Sequence, residues 1–397
     1  APYGKPIYKE IILKNILKIN QDGSYNLNLL YFNFHLKNEM TNKYEMEKLL
    51  NVKFRNENEP IEQSHKDLAA SVQNVLELAL DKIIEETIKI TKSKNISLAG
   101  GVALNCSALG KARNKYPDKN FFIQPAAGDA GGAMGAAISL YYKKSKQDKK
   151  IDHNFDVYCG PPTLDKETLN FFINRGCPHR QFSKNELIEK ITNKLIDGKI
   201  IAICEGKSEW GPRALGARSI IANPMIKNIK NTLNLKIKQR EDFRPFAPII
   251  SRENLEKLFI NPTNSEFMSF VFFLKNEFRD ENSQLKLNDI EISKENFMNV
   301  KKALIHNDWS ARLQTISKNS NLLLGKVLED FFRLEGCPML INTSFNTRGE
   351  PPVLNAKDAF RCFMRSEIDY LVINNFFLDR KEQSKLTEEE FDIFDPD

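Results

Sequence analysis

NISLAGGVALNCSALGKA, residues 95–112, and FFIQPAAGDAGGAMGAAISLYYKK, residues 121–144, decide the fold class between them. Each runs from an apolar strand into glycines or other small residues and then into a helix. Two strand–glycine–helix units in succession argue for an α/β domain with a ligand at its strand ends. Between Gly100 and Asn105, backbone amides freed of side chains can approach phosphate oxygens, and the helix start adds partial positive charge. The same glycines would equally serve a tightly packed turn. In the second unit, Asp129 is flanked by Gly128 and Gly131, neighbours too small to cover its carboxylate. Two compatible roles fit it: a helix cap, or a ligand to a metal that bridges to a nucleotide phosphate.

Working outward, residues 1–58 are polar, with YNLNLLYFNF (25–34) as one strand. Ser64 to Lys92 reads as a single helix, capped by Ser64 with Asp67 three residues on. Its buried face is expected from Leu68, Val72, Val75, Leu76, Ala79 and Ile83. KKSKQDKKIDHN (143–154) is a charged linker. After it come an amphipathic helix at 187–196, strands in IIAICEG and SIIANP, a helical NTLNLKI, and strands in FAPII and FMSFVFFL. Lys275 to Asn307 reads as an irregular insertion. RLQTI, PMLINTSF and YLVINNFFL are strands, NLLLGKVLEDFFRLEG and AKDAFRCFMRS helices, and the last eleven residues, six of them acidic, a frayed tail.

Charge is concentrated in one place. Lys207 to Arg244 holds nine Lys or Arg against three acids, the whole of the chain's formal excess of +6. Seven of the nine sit in GKSEWGPRALGARSII (206–221) and KIKQREDFRPFAP (236–248), where glycines and prolines break helical periodicity. Short strands and turns can bring Arg213, Arg218, Lys238, Arg240 and Arg244 onto one small anion, which suits phosphate recognition. Glu241 and Asp242 can pair with some of these, Arg240 first, but not with all five. Arg312 and Arg348 add two arginines after or beside strands, and Ser344 and Asn346 supply neutral groups that orient a carbonyl or phosphate.

Other classes are disfavoured. No run of 18 uncharged apolar residues exists, so a membrane span is not expected. Six cysteines without a CxxC pair point to free thiols in a reduced, cytoplasmic setting. Five scattered histidines without HExxH exclude a self-contained zinc motif. His65 and His306 read as capping or surface residues, and Cys106 as packing.

Taken together, YGKPIY, AGGVALNC, PAAGDAGGAMGAA, EWGPRALGARSI, KIKQREDFRPFAP, LINTSFNTRGEPPV and DAFRCFMRSEIDYLVI resemble the O-carbamoyltransferase family of the NodU type, in that family's order. The resemblance implies a partial actin-like ATPase-fold domain that transfers the carbamoyl group, then a YrdC-like α/β domain with a twisted sheet that makes carbamoyladenylate. On that reading residues 1–155 are the second half of the actin-like domain, 156–185 connect, 186–385 are YrdC-like and 386–397 form the acidic tail. The chain is then expected to be the C-terminal two-thirds of the enzyme, lacking the N-terminal half of the actin-like domain and its iron-holding histidines. HNDWSAR (306–312) also departs from the family's H-x-D-G-T-A-R, with Trp309 where glycine is typical.

The resemblance assigns Lys238, Arg213 and Arg218 to catalysis, and Arg244, Arg312, Ser344, Asn346 and Arg348 to substrate binding. It gives Gly100, Gly101 and Asn105 to the adenylate and Asp129 to Fe2+ or another divalent metal, with Mg2+ as a companion of ATP. Carbamoyl phosphate, ATP and a small-molecule hydroxyl acceptor are the expected partners. A separate N-terminal segment and a second copy of the chain are the candidate protein partners. Threonylcarbamoyl transfer to tRNA is the rival enzyme reading, and it would want a basic, aromatic-studded outer surface. With the charge in one Gly/Pro-rich stretch, nucleic acid is not expected. A non-catalytic nucleotide-binding protein is the rival from another class.

Overall fold

The computed structural model describes residues 1–56, 59–145, 156–280, 282–287, 290–317 and 322–387. The acidic tail from 388, and the linker from 146 to 154, lie outside the described residues. The chain forms two compact units: Ala1–Ser97 with Ser107–Phe122, and Leu98–Cys106 with everything from Ile123 on. This division does not follow the expected boundary at 155.

In the first unit the long helix runs Gln63–Thr91. Its cap is Glu62, paired with His65 in a capping box, rather than Ser64 with Asp67. Asp67 is used differently: its carboxylate accepts from Lys5 N at 2.7 Å and from the Gln63 amide at 2.9 Å, tying the N-terminal segment to the helix. The buried stripe is therefore Asp67, Ala70, Ser71, Val75, Leu80 and Ile84, while the expected Val72 is exposed. Val75 packs with Ile12, Ile16, Tyr31, Met46, Leu50 and Val52 in a small core. YNLNLLYFNF is a strand only over Tyr25–Leu27. Asn28 then accepts from Leu30 N through its side chain and turns the chain into a 3-10 segment. The two strand–glycine–helix segments form as expected, with strands Asn95–Leu98 and Asn120–Ile123 paired to each other and helices Cys106–Lys115 and Gly131–Ser145, though their glycine turns and the second helix belong to the second unit.

The second unit is built on a mixed eight-stranded sheet. Its order is Gln314–Ile316, Ala247–Ser251, Met339–Ser344, Arg218–Ala222, Ile201–Cys204, Tyr370–Ile373, Phe376–Asp379, Arg180–Gln181. All four residues of Ile201–Cys204 are buried, so both faces of the sheet centre are covered. Helix Lys184–Ile196 packs on helix Leu323–Glu335, and Asp165–Arg175 on Ala356–Arg365. Leu323, Leu324, Val327, Leu328 and Phe331 form one stripe of the second of these, and Gly336 ends it at φ +70°.

Three expectations are corrected here. Residues 156–185 do more than connect, since they contain helix Asp165–Arg175 and the edge strand Arg180–Gln181. Lys275 to Asn307 holds a hairpin, Leu285–Leu287 with Ile290–Ile292, and helix Lys294–Leu304, whose apolar side is Phe297, Val300, Ala303 and Leu304. YLVINNFFL is two strands because Asn374, at φ +50°, turns the chain back on itself.

The register fixes where the site lies. Cys204 pairs with Arg218, Ser344 with Ser219, Ile373 with Cys204 and Asn342 with Ala247. One end of the sheet thus releases the 205–217 and 345–355 loops and receives the chain arriving from Lys238 to Phe246.

Candidate functional site

The 205–217 loop is organised by an acid that sequence reasoning passed over. Oε1 of Glu209 accepts the backbone N–H groups of Leu215 (2.8 Å), Ala217 (2.7 Å) and Arg218 (3.1 Å). Further along, the Leu215 carbonyl accepts from Tyr158 Oη at 2.9 Å and Gln314 Nε2 at 2.7 Å. Arg213 stands at the turn of this loop, partly buried, with one long bond to Leu104 O at 3.4 Å. Burial first, and then the charge of nearby Arg312, lowers its pKa to about 10, so it remains a cation at neutral pH.

Arg218 does something else. It is 1% exposed, and its Nη atoms bond Glu205 O and Ala217 O (both 2.9 Å), Thr163 Oγ1 (2.8 Å), and the carbonyls of Gly206 and Leu354 (both 3.1 Å). Such a guanidinium holds the loop bases together and, buried as it is, is closed to substrate although its Nε has no partner among the described residues. The expected catalytic role for Arg218 is corrected to that of a buried clamp.

Beyond strand 218–222 the chain makes a π-helical turn, Leu233–Ile237, of the kind often met at functional sites. Asn234, fully buried within it, donates to the carbonyls of Asp242 (3.3 Å) and Arg244 (2.9 Å) and accepts from Arg240 Nε (2.7 Å). One side chain thereby shapes the whole QREDFR loop. Arg240 also lies over the Phe246 ring, 4.9 Å from its centroid. It does not take the expected pairing: Glu241 bonds Arg244 instead, at 2.9 Å. Burial, then Arg244 and Arg312, push Arg240 down to about 10.

Lys238 leaves the π turn 7% exposed. Its Nζ reaches Ser344 O (2.8 Å), Ser344 Oγ (3.1 Å), Asn346 O (2.8 Å) and Asn346 Oδ1 (2.6 Å). Three of the expected site residues, Lys238, Ser344 and Asn346, therefore meet. Burial pushes Lys238 down to about 7, while the four oxygens favour the proton. All its donors are engaged, so in this arrangement the ammonium anchors the loop that carries Arg348. Arg348 and Arg244 are exposed at the rim, where both help hold the Glu241 carboxyl below its usual range, after its own backbone N–H.

Arg312 ends the strand Ser310–Arg312, partly buried, with the neighbouring HNDWSAR loop beside it. Trp309 adopts φ +63°, the left-handed conformation that glycine takes freely. For a tryptophan this conformation carries a cost of about 1–2 kcal/mol. His306 is partly buried within reach of Arg312, and burial lowers its pKa. Its place here could not be read from sequence, because nothing local pairs it with another functional group.

The glycine turn joins the same unit. Gly100, at φ +99°, donates its N–H to Ala127 O at 2.7 Å, so that amide already has an acceptor. Gly101 opens a 3-10 turn, Gly101–Leu104, with open space around its Cα, and Asn105 closes it. Gly211 presses on the 124–131 turn: a Cβ there would stand 2.6 Å from Pro125 O. Asp129 is exposed. Among the described residues no group of three or more His, Cys, Asp or Glu side chains could hold a metal, around Asp129 or elsewhere. A single solvated carboxylate does not make a transition-metal site, and the described residues do not fit the expected iron.

Arg213, Arg240 and Arg312 thus form a partly buried group of guanidinium cations at one sheet end, rimmed by Arg244 and Arg348. Such a group can bind a phosphate or carboxylate and offset charge that develops on it. No helix among the described residues is long and apolar enough to cross a membrane.

Residues 1–138 match the family model described as carbamoyltransferase N-terminus, and residues 192–380 match carbamoyltransferase C-terminus. The expected absence of the N-terminal half is not borne out, since the N-terminus model matches from residue 1. An uncharacterized protein of Synechocystis sp. is 38% identical over 99% of this chain and 66% of its own length. Nodulation protein NolNO of Sinorhizobium fredii is 31% identical over 97% of this chain and 52% of its own. For nodulation protein NolO of Bradyrhizobium diazoefficiens the figures are 30%, 97% and 65%. The chain thus spans between about half and two thirds of the length of these relatives. Full-length HypF in its phosphate- and nucleotide-bound form overlays loosely, at 14% identity and a TM-score of 0.30 over 52% of this chain and 23% of that one. With both of its matched regions drawn from one family, the chain belongs to the carbamoyltransferases.

Proposed function

We propose that this protein takes part in ATP-dependent carbamoyl transfer, and that its arginine group binds the phosphate of carbamoyl phosphate. The observation that carries the reading is the convergence of Arg213, Arg240 and Arg312, each partly buried and close enough to perturb another. Three guanidinium groups this near to one another, each partly withdrawn from water, suit a bound anion better than ordinary surface pairing.

In the proposed first step water releases carbamate and inorganic phosphate from carbamoyl phosphate. A carbamate oxygen then attacks the ATP α-phosphorus, the bond to the β-phosphate oxygen breaks, and carbamoyladenylate and pyrophosphate result. The arginines orient the anions and offset the charge gathering on the departing phosphates. In the second step an acceptor hydroxyl attacks the carbamoyl carbon, loses its proton and displaces AMP. Gly101 and Asn105, at the open glycine turn, are the proposed adenylate contacts, and the YrdC-like and actin-like assignments of the two steps belong to this same reading. No step is assigned to Asp129 or to a metal.

The test is carbamoyl-phosphate-dependent release of pyrophosphate from ATP by the full 397-residue chain. Release that needs carbamoyl phosphate supports the reading. Its absence, with the protein folded and both ligands saturating, would favour a nucleotide-binding protein without this chemistry.

A further inference from the structure

We infer that Glu209 is a positioning residue of the anion site, the group that fixes the loop presenting Arg213; this rests on the anion-site reading above. Three backbone donors, from Leu215, Ala217 and Arg218, converge on its Oε1 at 2.7–3.1 Å. The chain from 209 to 218 is thereby closed into a ring through one carboxylate oxygen, with Arg213 on its far side. Neighbours complete the hold. Asn342 Nδ2 bonds the Ala214 carbonyl at 3.1 Å, and Gln314 and Tyr158 bond that of Leu215. Gly211, at φ +113°, lies too close to Pro125 for any side chain.

The charge arrangement points the same way. An acid one turn from Arg213 could pair with it and cancel the charge the site needs. Instead the carboxylate is occupied by neutral amides, a strong charge-assisted arrangement. Among the described residues Arg213 keeps only its long bond to Leu104 O, so its fork remains available to an anion. Preorganisation of this kind lowers the cost of ordering a cation at the moment of binding.

The experiment is calorimetric titration with sulfate, and in parallel carbamoyl phosphate, of the wild type, E209A, E209Q, R213A and E209A/R213A, with thermal unfolding of each. E209A is expected to bind about tenfold or more weakly, the loss that follows when charge-assisted positioning is removed. E209Q keeps an acceptor oxygen and is expected to recover most of that loss. The double variant should bind no more weakly than R213A alone, because Glu209 acts through Arg213. Losses that multiply in the double variant would overturn the inference, as would E209A binding as well as wild type. Tighter binding by E209A would overturn it too, showing that the amides serve the anion directly. Should E209A not fold, E209D, whose shorter side chain cannot bring one oxygen to all three N–H groups, and E209D/R213A carry the same non-additivity test. R213A binding as wild type would instead refute the anion site itself, and this role with it.

Discussion

Nζ of Lys238 lies 2.6 Å from Oδ1 of Asn346, with the Asn346 carbonyl and both Ser344 oxygens also in bonding range. A buried cation thus ties the π turn to the loop after strand Met339–Ser344. Lys238→Met removes the charged donor that all four share, although Asn346 Oδ1 keeps Ser344 Oγ and the Ser344 carbonyl keeps Asn346 N. A loss of about 1–3 kcal/mol of stability is expected, the range for removing a charge-assisted donor from half-buried acceptors. Denaturant unfolding checks it; an unchanged midpoint would show that the tether is not stabilising.

The same lysine predicts a pH dependence. Burial sets Lys238 at about 7 in the folded protein, below its ordinary 10.5. Its charge is present below pH 7 and lost above, so sulfate, which does not titrate here, should bind more weakly as pH rises through 7. Between about 7 and 10.5 the unfolded chain binds the extra proton, so this residue alone makes stability rise with pH in that window. Lys238→Met should bind sulfate with no inflection near 7. A wild-type affinity flat from pH 6 to 8 would count against it. Burial also pushes His306 down from its ordinary 6.5.

Arg213 and Arg218 should separate cleanly. Arg218→Lys removes the fork that meets carbonyls from three segments, and about 3 kcal/mol or more of stability is expected to go with it. Arg213→Ala should leave the unfolding midpoint nearly unchanged and lower anion affinity. The reverse pattern in melting and titration would exchange their roles.

At position 309 the backbone favours glycine. Trp309→Gly and Trp309→Ala both remove the indole, but only glycine relieves φ +63°. Trp309→Gly is expected to be more stable than Trp309→Ala by about 1 kcal/mol. Equal melting temperatures would show that the loop relaxes to another conformation.

The α/β class, the two glycine turns and the basic stretch were legible because each rests on local pattern: apolar runs, turn residues and charge density. Arg213, Arg312 and Lys238 with Ser344 and Asn346 were named from that stretch and its neighbours, and the fold brings them to one sheet end. Arg218 was misread because its sequence neighbours, Ala217 and Ser219, give no sign that its acceptors include the carbonyls of Glu205, Gly206 and Leu354. Glu209 and Asn234 were missed for a related reason: apart from Arg240, which bonds Asn234, their partners are backbone groups, which every sequence contains. The helix at Lys294–Leu304 was hidden because its buried apolar residues, Phe297, Val300, Ala303 and Leu304, are interleaved with lysines and asparagines inside a charged stretch. The long-helix cap was displaced to Glu62 by a histidine, a side chain outside the usual capping pattern.

The most direct test of the account is calorimetric binding of carbamoyl phosphate to the wild type, Arg213→Ala and Arg312→Ala. If these arginines hold the phosphate, each variant loses about 1.5–3 kcal/mol of binding free energy, about tenfold or more in affinity, with its unfolding midpoint preserved. Unchanged affinity in both variants would contradict the assignment of this sheet end as the carbamoyl-phosphate site.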